Sequence, residues 1–181
     1  MFQTKPDRGC VLVIGGAKSG KSRFSLNLCN GLMKKKVFLA TAQALDHEME
    51  ERIKRHREQR GEDWVTVEEP IRIVERLREN DREDTVVLVD CLTLWISNLF
   101  MKHGKALQPV YQSMDELVDE LTNIKGVIIL VSNEVGMGIV PDNELARVYR
   151  DVSGSLNQKI ATIARKVVAV MAGIPVVIKD Q

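Results

Sequence analysis

Cys10-Val11-Leu12-Val13-Ile14-Gly15-Gly16-Ala17-Lys18-Ser19-Gly20-Lys21-Ser22 decides the fold. The apolar run reads as a buried strand. The residues after it match G-x-x-x-x-G-K-[ST], the phosphate-binding loop that joins a strand to a helix. Gly15 and Gly20 permit backbone angles that other residues resist. The amides of Gly15, Gly16, Ala17, Lys18, Ser19 and Gly20 can therefore turn inward around phosphate oxygens at the positive end of the next helix. Lys21 is expected to reach the β and γ phosphates as a catalytic cation, and Ser22 to offer its hydroxyl to Mg²⁺. A plain glycine turn would require neither the Lys-Ser pair nor the apolar strand before it.

Downstream, Phe24, Leu26, Leu28, Cys29, Leu32 and Met33 follow helical spacing, so the loop opens a helix from Lys21 to Met33, with Lys34 to Lys36 at its negative end. Val37-Phe38-Leu39-Ala40, Thr85 to Val89 and Val127 to Val131 are short apolar runs of strands buried on both faces. Charged helical stretches separate them at Asp46 to Arg60, Ile71 to Arg78 and Ser113 to Ile124. The alternation predicts an α/β fold, a mainly parallel sheet flanked by helices with right-handed crossovers. Pro141 to Glu144 starts a last helix whose stripe runs through Leu145, Val148, Tyr149, Val152, Leu156, Ile160, Ile163 and Val167. Gly173 suits its end, and Ile174-Pro175-Val176-Val177-Ile178 reads as a final edge strand, taken to be antiparallel.

A chain of 181 residues fits one domain, 1–181. A net charge of +1 and 4% aromatic residues argue against a nucleic-acid partner. Cys10, Cys29 and Cys91 lie apart in apolar segments and read as reduced packing residues, and no Cys/His spacing suggests zinc. No apolar stretch reaches transmembrane length, so the reading is of a soluble, cytoplasmic protein. Residues 1–8 and Met101 to Pro109 are the expected least ordered segments.

Ligands of open α/β sheets gather at the carboxyl ends of the strands. There lie the phosphate loop, Ala40-Thr41-Ala42-Gln43, Asp90, and Ser132 to Gly138. Asp90 ends its strand as a metal-binding Walker B carboxylate does, although it could instead cap the helix after it. Arg52, His56 and Arg60 fall at i, i+4 and i+8, one face of a helix. A histidine between two guanidiniums is held neutral and nucleophilic, while the same cations attract phosphate. An exposed, salt-bridged face is the plainer reading of such a helix. Gly136 and Gly138 mark either a turn or a mobile loop that closes over substrate.

These residues point to a family. Gly15 to Ser22; Ala40 to Gln43 with Asp46, Glu48 and Met49; Arg52-Ile53 and His56-Arg57; Trp64, Thr66 and Glu68; and Asn133 to Pro141 with Arg147, Arg150-Asp151 and Leu156-Asn157-Gln158 together cover nearly the whole chain. They closely resemble the bifunctional adenosylcobinamide kinase/adenosylcobinamide-phosphate guanylyltransferases of cobalamin assembly. The resemblance implies a RecA-like P-loop NTPase fold and a homotrimer, with apolar residues of Leu92 to Phe100 available for an interface. It implies two reactions: phosphorylation of the adenosylcobinamide hydroxyl with ATP or GTP, then transfer of GMP from GTP to that phosphate with release of pyrophosphate. Transfer through a guanylylated histidine falls on His56. The resemblance also implies that Arg57 and Arg60 contact phosphates, that Ala40, Thr41 and Ala42 line the nucleotide pocket, and that Glu68 and Asp90 bind nucleotide or metal, with Mg²⁺ arriving with the nucleotide. Many members carry Glu where Asp90 stands. A small-molecule kinase without a covalent intermediate is the competing reading, and a RecA-type DNA-dependent module a more distant one.

Overall fold

The computed structural model describes residues 6–58 and 60–181, without the side chains of Arg52 and His56. The elements run β1 (Gly9–Gly15), α1 (Lys21–Asn30), β2 (Lys35–Ala40), α2 (His47–Glu58), β3 (Trp64–Glu68), α3 (Ile73–Asn80), β4 (Thr85–Asp90), α4 (Leu92–His103), α5 (Gln108–Thr122), β5 (Val127–Asn133), α6 (Glu144–Ile163), β6 (Lys166–Met171) and β7 (Ile174–Asp180). The strands form one sheet in the order β3-β2-β4-β5-β1-β6-β7. Every neighbouring pair is parallel except β6 and β7, so the expected antiparallel C-terminal edge strand is present.

Two apolar layers follow from the alternation of side chains along buried strands. Leu12, Leu39, Val87, Val89, Ile128 and Leu130 point to one face, where Leu77 of α3, Trp95 and Leu99 of α4, Met114 and Leu117 of α5 and Leu156 and Ile160 of α6 cover them. Val11, Val13, Phe38, Leu88, Ile129 and Val131 point to the other, against Cys29 of α1, Leu32 and Trp64. The parallel register leaves the carboxyl ends of β3, β2 and β4 level, with Glu68 opposite Ala40 and Ala40 opposite Asp90. Gly15 lies opposite Asn133 one step along the sheet.

Several expectations are corrected. The first helix stops at Asn30 with Gly31 as its cap, and Lys35 and Lys36 belong to β2, where they pair with Asp84 and Asp63. Trp64–Glu68 is an edge strand that its mixed polar pattern concealed. Val167 is in β6 rather than α6, and Gly173 (φ 81) turns a β hairpin instead of ending a helix. The apolar residues of Leu92 to Phe100 are not exposed: Leu92, Trp95, Ile96, Leu99 and Phe100 fill the core, so this segment offers no apolar interface. Met101–His103 continues α4 and Gln108–Pro109 begins α5, leaving only 104–107 as a connection. Residues 1–5 lie outside the described part of the chain.

Candidate active site

The phosphate loop bends through left-handed residues and close backbone approaches. Gly20 adopts φ 95 and Lys18 φ 54, both in the left-handed region. A Cβ on Gly15 would lie 2.5 Å from the Val170 carbonyl oxygen, and one on Gly20 would lie 3.2 Å from the Cα of Gly173. The Gly173 amide donates to the Ser19 carbonyl at 2.8 Å, so the β6–β7 turn braces the loop from outside. Inside, buried Lys21 donates from Nζ to the Gly16 carbonyl at 3.0 Å. No side chain caps the start of α1, and the Ser19 hydroxyl is buried without a hydrogen-bond partner. Open amides at a helix start and an orphaned hydroxyl suit an anionic ligand.

Ala17, Lys18, Ser19, Gly20, Lys21, Ser22 and Arg23 line a cleft of about 770 Å³, closed by Glu48 and Arg55 of α2, Asn133 at the end of β5, and Ala172 and Gly173 of the hairpin. Sequence reading missed Arg55, Ala172 and Gly173. No motif marks Ala172 and Gly173, because only the sheet order, with β6 next to β1, brings the β6–β7 turn to the phosphate loop, and Arg55 is one charge among many on α2.

A second, smaller pocket of about 40 Å³ lies on the other flank of α2, between Phe38, Ala40 and Ala42, Met49 and Ile53, Arg60, Thr66 and Glu68, and Asp90, Cys91 and Leu94. Helix α2 thus divides two clefts, with Glu48 and Arg55 on one and Met49 and Ile53 on the other. Position 56 follows Met49 by seven residues and Ile53 by three, which gives it their helical register. The His56 and Arg52 side chains lie outside the described residues.

Arg60 does not share that face, because α2 ends at Glu58. Its guanidinium turns inward, 6% exposed, and stacks 3.7 Å over the Phe38 ring, with Nε unpartnered. Burial pulls its pKa below the ordinary guanidinium value. The positive charge of Arg57 acts the same way, while Asp90 and Glu68 oppose it. Arg57 donates to Glu68 Oε1 at 2.5 Å, completing a cluster of two cations and two carboxylates. Asp90 therefore lines the smaller pocket and Ser22 the larger, so the two expected metal ligands are not brought to one cleft. Among the described residues, no group of three or more His, Cys, Asp or Glu could hold a metal ion.

Thr41 is fully buried and lines neither cleft. Its hydroxyl donates to the Cys91 carbonyl and accepts from the Cys91 amide, both at 2.8 Å, and Asn98 donates to its carbonyl at 2.8 Å. Its expected place in a nucleotide pocket is corrected: it ties the end of β2 to the start of α4. Ala40 and Ala42 do face the smaller pocket.

The fold is similar to that of the RadB recombinase, with a TM-score of 0.51 at 14% identity over 91% of this chain and 74% of that one. The bifunctional adenosylcobalamin biosynthesis protein CobP of Pseudomonas aeruginosa is 41% identical over 170 residues, covering 94% of this chain and 97% of that protein. The bifunctional adenosylcobalamin biosynthesis protein CobU of Escherichia coli K12 is 39% identical over 180 residues, 93% of this chain and 99% of that protein. Residues 11–178 match the family described as cobinamide kinase / cobinamide phosphate guanyltransferase. With that match and those two near-full-length relatives, this P-loop chain belongs to the cobinamide kinase / cobinamide phosphate guanyltransferase family.

Proposed function

We propose that this protein phosphorylates the side-chain hydroxyl of adenosylcobinamide and then transfers GMP from GTP onto that phosphate through guanylylated His56. The observation that carries the reading is the partition made by α2: a phosphate-loop cleft on one flank, a pocket with Arg60, Glu68 and Asp90 on the other, and position 56 in the register of the second. Family membership supports the two reactions, and the partition is consistent with a separate cleft for each.

In the kinase step the loop amides and Lys21 hold the triphosphate of ATP or GTP and take up charge as the γ phosphoryl group leaves. Ser22, at the helix start in the same cleft, would hold Mg²⁺ carried in with the nucleotide. One protein hydroxyl suits an ion that keeps waters and binds phosphates, and the ion supplies charge neutralisation at those phosphates. Asp90 and Glu68 face the other pocket, where carboxylates can accept from the ring N–H and amino group of guanine.

In the transfer step a neutral His56 nitrogen attacks the α phosphorus of GTP. The N–P bond forms, the bond to the β-phosphate oxygen breaks, and pyrophosphate leaves with the electron pair. Arg57 and Arg60 stabilise charge at phosphorus. A phosphate oxygen of adenosylcobinamide phosphate then attacks the same phosphorus, the N–P bond breaks, and adenosylcobinamide-GDP departs. Assembly as a homotrimer, implied by the family resemblance, and a cytoplasmic location, supported by three free buried cysteines, complete the proposal.

Incubation with α-labelled GTP and Mg²⁺ tests it. The protein is expected to retain a label that acid removes and alkali does not, and to pass it to adenosylcobinamide phosphate. Phosphorylation without any protein-bound label would instead make the chain a simple kinase.

A further inference from the structure

The segment after β5 is built to stay outside the core. Met137 is 85% exposed and Ile139 96%, and Val140 and Leu145 at the start of α6 are exposed beside them. A run of apolar tips in water is uncommon and marks a surface that is covered in use. Polar contacts hold this one out. The Gly136 amide donates to Glu134 Oε1 at 2.7 Å, Arg147 donates from Nη1 to the carbonyls of Pro141 and Asp142 at 2.9 and 2.6 Å, and Arg150 donates to that of Ile139 at 3.4 Å. The Asn143 side chain caps α6 through the Ala146 amide.

Its place decides the occupant. The segment leaves the sheet at Asn133, which lines the phosphate-loop cleft, and the Glu134 amide donates to the Gly15 carbonyl at 3.0 Å. An acceptor hydroxyl must meet the γ phosphate in line, inside that cleft. The bulk of an acceptor far larger than its reacting arm must therefore rest on protein beside the cleft mouth. β7, a second exposed apolar stretch, begins beside the cleft at Ile174, but it runs antiparallel to β6 and carries Val176, Val177 and Ile178 away from the carboxyl edge where the cleft lies.

We infer that residues 135–140, with Leu145, form the docking surface for the corrin macrocycle of the acceptor, its methyl-bearing face packing on Met137, Ile139 and Val140 while its hydroxyl arm enters the phosphate-loop cleft. This assignment rests on the proposed kinase function and adds the site of its second substrate. It fits the loop's two characters, apolar tips for a largely apolar ring and a base fixed by arginine contacts.

The test is steady-state kinase kinetics and equilibrium dialysis of cobinamide, followed by its own visible absorbance, on wild type, Met137→Ser/Ile139→Ser, Ile139→Ser alone, and Met137→Leu/Ile139→Leu. The serine variants are expected to raise KM and Kd for cobinamide by about tenfold or more, with KM for the nucleotide and labelling by GTP alone unchanged, and the leucine variant to remain near wild type. Ile139→Ser removes a side chain almost wholly in water, so its folding is secure. Unchanged cobinamide constants overturn the docking site alone. A serine variant that changes oligomeric state by light scattering also overturns it, showing a second copy as occupant. Wild-type protein that leaves cobinamide unphosphorylated overturns the kinase reading and, with it, this site.

Discussion

The Gly173 amide donates to the Ser19 carbonyl at 2.8 Å, so the turn of the last hairpin holds the middle of the phosphate loop. The contact joins β6 and β7 to a loop more than a hundred residues earlier in the chain. It is tight on both sides, since a Cβ on Gly20 would meet the Cα of Gly173 at 3.2 Å.

Gly20→Ala should therefore displace the loop. The left-handed conformation at φ 95 adds about 1–2 kcal/mol of strain to the crowding. Nucleotide kcat/KM should fall by about tenfold to a hundredfold, as expected for misplaced phosphate contacts. Gly16→Ala is the control for stability: its added Cβ meets nothing within 4 Å, so its Tm should match wild type.

Thr41→Val should cost about 1–3 kcal/mol in denaturant unfolding, because it removes two buried hydrogen bonds and leaves the Cys91 amide unpaired. Thr41→Ser keeps the hydroxyl and should recover most of that loss.

Glu69 gives stability a dependence on acid. Burial pushes its carboxyl up, but the amides of Arg72 and Ile71, donating at 2.9 and 3.0 Å, and the charges of Arg72 and Arg76 outweigh it and hold the pKa below 4.5. A carboxylate lowered on folding contributes stability above its unfolded pKa and loses it as pH falls through the folded one. Glu69→Gln should be about 1 kcal/mol less stable than wild type at pH 7, with the gap closing below pH 4.5. A gap independent of pH would remove the carboxylate from the account.

The thiols should be silent in the native protein. Burial pushes Cys10 and Cys29 up to about 12 and raises Cys91 as well, and all three are buried and free. A thiol-reactive dye at pH 8 should titrate none of these three until denaturant is added.

The central part of the sheet was legible because parallel strands buried on both faces read as continuous apolar runs, as at Val127 to Val131. The edges were not. Trp64–Glu68 carries a mixed burial pattern with no apolar run, and β6 merged into the stripe of α6 because only Ala164 and Arg165 separate them. The phosphate loop announced itself through local backbone demands. Arg60 did not, since helical spacing placed it beside His56 while the chain left the helix first and turned its guanidinium onto Phe38. Thr41 misled for the opposite reason: its position at a strand end fits a ligand site, but its hydroxyl is spent on Cys91.

The proposed division of labour across α2 makes one demand that a single measurement can meet. Intact and peptide mass spectrometry after exposure to GTP and Mg²⁺ should find one GMP on the peptide containing His56, and none on the His56→Ala protein. An unmodified protein, or GMP carried on any other residue, would contradict the account.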